Sequence, residues 1–212
     1  RGEAAVLVRY EGNYATRPVF IMGERSQFVW SDVPEYNFID AHAKVKWQQM
    51  KIRPSELCSD GEYIRRVSLD LTGQPPTAEM VKAFIADPTD GRLKRERLVD
   101  QLLGSDAFVE NWTNKWCDLL QANAGTLGEK SLWMFRGWIR DQFAANVPYD
   151  QFVRELLLAK GSSYRNPQVN YYRALQTPEK TQEKTNEDIT QTFLGIRFNC
   201  NHCHDHPFER WT

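Results

Sequence analysis

Ser59-Asp60-Gly61-Glu62-Tyr63-Ile64-Arg65-Arg66-Val67-Ser68-Leu69-Asp70-Leu71-Thr72-Gly73 reads as one complete helix whose start and stop are both written in the sequence. Ser59 with Glu62 three positions later is a capping box: a hydroxyl and a carboxylate take the backbone N–H groups that lack partners in a first turn. Ile64, Val67 and Leu71 recur at helical spacing and define one apolar stripe. Gly73 stands where a left-handed C-terminal cap belongs, and Pro75-Pro76 prevents continuation.

The same grammar repeats outward from this segment. An apolar-spaced stretch over residues 37–50 ends ahead of Pro54, and Thr77 opens a short helix that runs through Ala86. Residues 90–103 place Leu98 and Leu102 on one face before Gly104. Residues 105–122 space Phe108, Trp112, Trp116 and Leu119 helically, and residues 131–145 do the same with Phe135, Trp138 and Phe143. Pro148 opens a helix carrying Phe152, Leu156 and Ala159, and a last helix from about Glu187 carries Ile189, Phe193 and Leu194. Between Gly161 and Asn186 periodicity fails, which predicts a long polar surface loop. Only the first thirty residues differ: Ala5 to Tyr10 and Arg17 to Met22 read as two short strands about a turn at Glu11-Gly12-Asn13. The expected fold is mainly α, a multi-helix domain over 34–212 preceded by a short β segment over 1–33.

Composition sets bounds on the rest. A chain of 212 residues at 41% hydrophobic has the length for one real core and part of a second domain. A lone hairpin is marginal in water, so the two strands are expected to complete a sheet whose other members lie upstream of Arg1. A net charge of −1 with Lys and Arg spread along the chain gives no basic field, so nucleic acid is excluded as a partner class. No apolar stretch approaches the ~20 residues that cross a bilayer, and no tripartite leader opens the chain, so any export signal is expected to have been removed.

Chemistry concentrates near the C-terminus, in Cys200-Asn201-His202-Cys203-His204. This C-x-x-C-H spacing lets two thiolates form thioethers with the two vinyl groups of one porphyrin while the next histidine ligates the iron. With four Cys and four His in the chain, the chance of such a match is on the order of 10⁻³, so coincidence is a poor explanation. The competitor is another use of the same atoms. Cys200, His202, Cys203, His204 and His206 form a cluster with zinc-binding chemistry, although Cys58 and Cys117 offer no second ligand pair. A redox or structural dithiol is the third reading.

Under the haem reading, Cys200 and Cys203 anchor the porphyrin and His204 is the proximal ligand. Phe198, Phe208 and Trp211 flank the motif as candidates to pack the porphyrin faces, with ordinary core packing an equal alternative. Asp205 and His206 suit hydrogen bonds to the proximal imidazole or a propionate, or a solvated turn. The opposite ligand is left open between His42, one of Met22, Met50, Met80 and Met134, a residue after Thr212, or none. Six-coordinate iron mainly passes electrons, whereas five-coordinate iron binds peroxide or a gas. Cys58 and Cys117 are either bridged or small buried residues.

The run from Cys200 through His206-Pro207-Phe208-Glu209-Arg210-Trp211-Thr212 does not stand alone. With Leu57-Cys58-Ser59-Asp60, Arg65 to Gly73, Pro76-Thr77 and Pro148 to Glu155, it resembles a cytochrome-like domain of unknown function abundant in Planctomycetes, over about residues 36–212. The first thirty residues resemble the closing strands of a bacterial Ig-like domain. These resemblances imply one covalent haem c, export to the periplasm or cell surface, and a larger chain continuing past Thr212. They also imply a redox partner or neighbouring domain, with electron transfer preferred to catalysis. The alternatives are a haem enzyme or ligand sensor with an open distal site, and a surface structural protein whose cluster binds zinc.

Overall fold

In a computed structural model, which describes residues 2–176, 182–198 and 204–205, the chain divides into two units, Arg1–Cys58 and Ser59–Thr212. The fold is mainly α, with ten α-helices and one two-stranded sheet among the described residues.

The first unit holds β1 (Gly2–Tyr10), β2 (Asn13–Ile21) and α1 (Phe38–Met50). Glu11 and Gly12 both have positive φ, 45° and 77°, the conformation of a two-residue type I′ turn whose twist matches paired strands. Pairing therefore begins at once with Tyr10 opposite Asn13 and runs to Gly2 opposite Ile21. This makes the second strand start earlier than the apolar run alone suggests. On the face carrying Glu3 and Phe20, Lys46 of α1 pairs with the Glu3 carboxylate and lies over the Phe20 ring. The opposite face carries Val6, Val8, Tyr10 and Ile21, all more than half exposed. α1 begins with a reciprocal cap: Asn37 Oδ1 accepts from Ile39 and Asp40 N–H, and the Asp40 carboxylate accepts from Asn37 N–H.

The second unit opens with α2 (Asp60–Thr72), α3 (Ala78–Ala86), α4 (Gly91–Leu103) and α5 (Asp106–Leu119). Each starts on a side-chain cap, from Ser59, Thr77, Asp90 and Ser105 respectively. Ile64, Phe84, Leu98 and Leu102 close a first cluster between α2, α3 and α4. Lys94, 7% exposed, is held there by the Asp60 carboxylate at 2.6 Å and by the Phe84 and Asp87 carbonyls that end α3. Arg95 reaches the same carboxylate at 2.9 Å.

After α5 come α6 (Ala124–Leu127), α7 (Glu129–Ala144), α8 (Tyr149–Leu157), α9 (Asn170–Leu175) and α10 (Gln182–Leu194). The larger core is shared among them: Leu120, Leu127, Phe135, Ile139, Phe152, Leu156, Tyr171 and Leu175 are buried together. Glu110 on α5 binds Arg136 and Arg140 on α7 at 2.5 and 2.6 Å, a charged seam along the same pair of helices.

One sequence expectation is corrected here. The stretch after Gly161, predicted as a surface loop, contains a short 3₁₀ turn (Pro167–Val169) and α9, four of whose six residues are buried. The amide of Asn170 and the side chains of Tyr172 and Arg173 find partners within the unit, which lets them be covered. Asn170 donates to the Ser163 and Pro167 carbonyls and accepts from Arg173, which also donates to Ser131 Oγ, while Tyr172 donates to the Leu157 carbonyl at 2.7 Å.

Candidate functional site

The last described helix leads toward the Cys/His cluster. α10 starts at Gln182, earlier than the expected Glu187, and seats Ile189 and Phe193 against the larger core. The Phe193 ring meets Tyr171 edge-on at 5.9 Å. Beyond Leu194 the chain turns at Gly195, whose φ of 66° favours glycine, and the Ile196 N–H donates back to the Thr190 carbonyl. Phe198 follows, half-buried and outside regular structure.

His204 and Asp205 are both exposed. His204 Nδ1 lies 2.6 Å from the backbone carbonyl oxygen of Asp205. A carbonyl oxygen only accepts, so Nδ1 is the donor in this contact. The ring nitrogen left for a metal ion is then Nε2. The contact to the imidazole runs through the main chain of Asp205, which residue type does not signal.

Cys200, Cys203, Phe208 and Trp211 lie outside the described residues, as do His202 and His206. His42 is exposed on α1 in the first unit, with Met22 and Met50 in that same unit. In the second unit, Met80 packs on the Ile64–Phe84 cluster and so serves that core. Among the described residues, no group of three or more His, Cys, Asp or Glu side chains is disposed to hold a metal ion. Cys117 is buried with a free thiol, so it forms no bridge to Cys58, and burial pushes that thiol up to about 11. No helix among the described residues is long and apolar enough to cross a membrane.

In a comparison with known families, residues 38–212 fit the family model PSCyt2, whose description is "Protein of unknown function (DUF1549)". No curated protein matches the chain, and no solved structure does.

Proposed function

We propose, for a chain that belongs to the PSCyt2 family of unknown function, that residues 200–204 carry one covalently attached haem c and that the protein passes electrons outside the cytoplasm. The observation that carries this reading is the C-x-x-C-H spacing, with Nδ1 of its histidine 2.6 Å from the Asp205 carbonyl oxygen. Haem supplies a one-electron iron couple when bound. Cys200 and Cys203 would hold the porphyrin and His204 would ligate the iron. The Asp205 carbonyl would fix the orientation of the His204 ring, as a hydrogen bond to the remote nitrogen of a ligating histidine does.

Export follows from the attachment chemistry, which in bacteria takes place beyond the cytoplasmic membrane. The exposed apolar face of the hairpin supports the reading of residues 1–33 as part of a larger Ig-like sheet.

Co-expression with a bacterial haem-attachment system, followed by a denaturing gel stained for haem, tests the attachment. A stained band at the chain's mass is expected, and it disappears in the Cys200→Ser/Cys203→Ser variant. An unstained wild-type band overturns the proposal, and zinc recovered in its place supports the alternative use of the cluster. Carbon monoxide added to the ferrous protein reads the other face of the iron: an unchanged spectrum accords with six-coordinate electron transfer, and a shifted one with an open ligand site.

A further inference from the structure

The hairpin has two outer edges, and the sequence treats them differently. Its two-residue turn makes Tyr10 and Asn13 a hydrogen-bonded pair, and along antiparallel strands such pairs alternate with non-bonded ones. Ala5 opposite Pro18 is therefore a non-bonded pair, whose main-chain groups point away from the partner strand. On β2 that outward position is filled by proline, which has no N–H to offer, so β2 is built as a terminal edge. On β1 the outward positions are Glu3, Ala5, Leu7 and Arg9, and each carries both an N–H and a carbonyl. Among the described residues the sheet ends there, and every residue of β1 is exposed.

An edge left open in this way is a template for another strand, and β1 is complementary to itself. When two copies run antiparallel about Val6, Glu3 falls opposite Arg9 at both ends and Ala5 opposite Leu7 between them. All four residues face outward, so each pair would exchange two main-chain hydrogen bonds. Glu3 meets Lys46 and Arg9 lies over the Tyr14 ring, which holds the two charges on one face of the sheet. On the other face Val6 would meet its own copy across the axis, where Val6 and Val8 are now 53% and 57% exposed. A register shifted by two residues sets Glu3 against Leu7 in one direction or Arg9 against Ala5 in the other, and loses both charge pairs. We propose that the outer edge of β1 pairs antiparallel with β1 of a second copy of this chain, Glu3 opposite Arg9, in a two-fold dimer. This goes beyond the reading of residues 1–33 as part of a larger sheet, because it names the next strand.

Sedimentation equilibrium of the full chain over a wide range of concentration reads the association, and a monomer–dimer equilibrium is expected. Ala5→Pro removes one outward N–H from β1 and costs the hairpin no ladder bond; Thr16→Pro does the same on β2. The first is expected to weaken the dimer by about tenfold or more and the second to leave it unchanged, whereas damage to the hairpin itself would appear equally in both. Arg9→Glu sets like charges opposite each other at both ends and is expected to weaken the dimer by about tenfold. Glu3→Arg/Arg9→Glu restores opposite charges and is expected to recover the association. A chain that stays monomeric leaves the edge to a strand from elsewhere and overturns the proposal. Equal effects of the two proline variants, or a charge-swapped variant no tighter than Arg9→Glu, overturn it as well.

Discussion

Gly73→Ala is expected to destabilise the second unit by about 2–3 kcal/mol, from two effects that can be separated. Gly73 caps α2 in the left-handed region, φ 69° and ψ 4°, where an added Cβ costs about 1–2 kcal/mol. That Cβ also comes 2.7 Å from Asn111 Oδ1 and 3.1 Å from its Cγ, closer than real contacts allow. Asn111 cannot retreat freely, because its Nδ2 donates to the Leu71 carbonyl, one of the last in α2, at 3.0 Å. Moving the amide forfeits a bond of about 1 kcal/mol. At roughly 2–4 °C per kcal/mol for a chain of this size, the midpoint falls by about 5–10 °C. The separation comes from Asn111→Ala, which removes the obstacle and the bond together. In that background Gly73→Ala is expected to cost only the backbone part, so the double variant is about 1 kcal/mol more stable than the sum of the two singles. Urea and thermal unfolding followed by circular dichroism measure all three. A single-variant cost below about 0.5 kcal/mol, or strict additivity, refutes the account of the α2–α5 junction.

Tyr171 is 1% exposed and its hydroxyl has no hydrogen-bond partner among the described residues, so Tyr171→Phe is expected to preserve stability or raise it by about 1 kcal/mol; a loss greater than that in urea unfolding shows that the hydroxyl is paired. With its thiol pushed up to about 11, Cys117 is roughly one part in a thousand thiolate at pH 8. Peptide mapping after iodoacetamide treatment is expected to find it unmodified in the native protein and modified after unfolding, and rapid native labelling contradicts its burial. Hydrogen bonds from Lys94 and Arg95 hold Asp60 below its ordinary value, and those from Arg136 and Arg140 do the same for Glu110. Such carboxylates contribute stability that is full above their unfolded-state values and is lost as pH falls through the depressed folded ones. The midpoint is therefore expected to fall below about pH 4, and an Asp60→Asn/Glu110→Gln variant that keeps the wild-type acid slope refutes the assignment.

Where the chain writes its own boundaries, the sequence and the structure agree. Ser59, Thr77, Asp90 and Ser105 cap the helices they were read to open, and Gly73 and Gly104 stand at the ends they were read to close. Such signals are local, since a cap needs only a hydroxyl or carboxylate and the N–H groups two or three residues on. α9 escaped for the opposite reason. Asn170 is fully buried because its amide is answered by Ser163, Pro167 and Arg173 and, through Arg173, by Ser131 far away in the chain. No window of hydrophobicity contains that network. The four-residue α6 is likewise too short to establish a period. At the candidate site the spacing of Cys200, Cys203 and His204 is legible because the proposed thioether chemistry would demand that spacing. The partner of the His204 ring is a main-chain carbonyl, which every residue possesses.

The side chains that close the second unit's two cores run from Ile64 to Leu175, and among the described residues no fully buried apolar side chain comes later. Ile189 and Phe193 then lay α10 on a surface already built. For a chain synthesised from its amino end, that order is a schedule: the cores can close before Cys200 has emerged. Under the haem proposal, attachment at residues 200–204 would act on a finished domain, and the chain without haem is expected to unfold cooperatively.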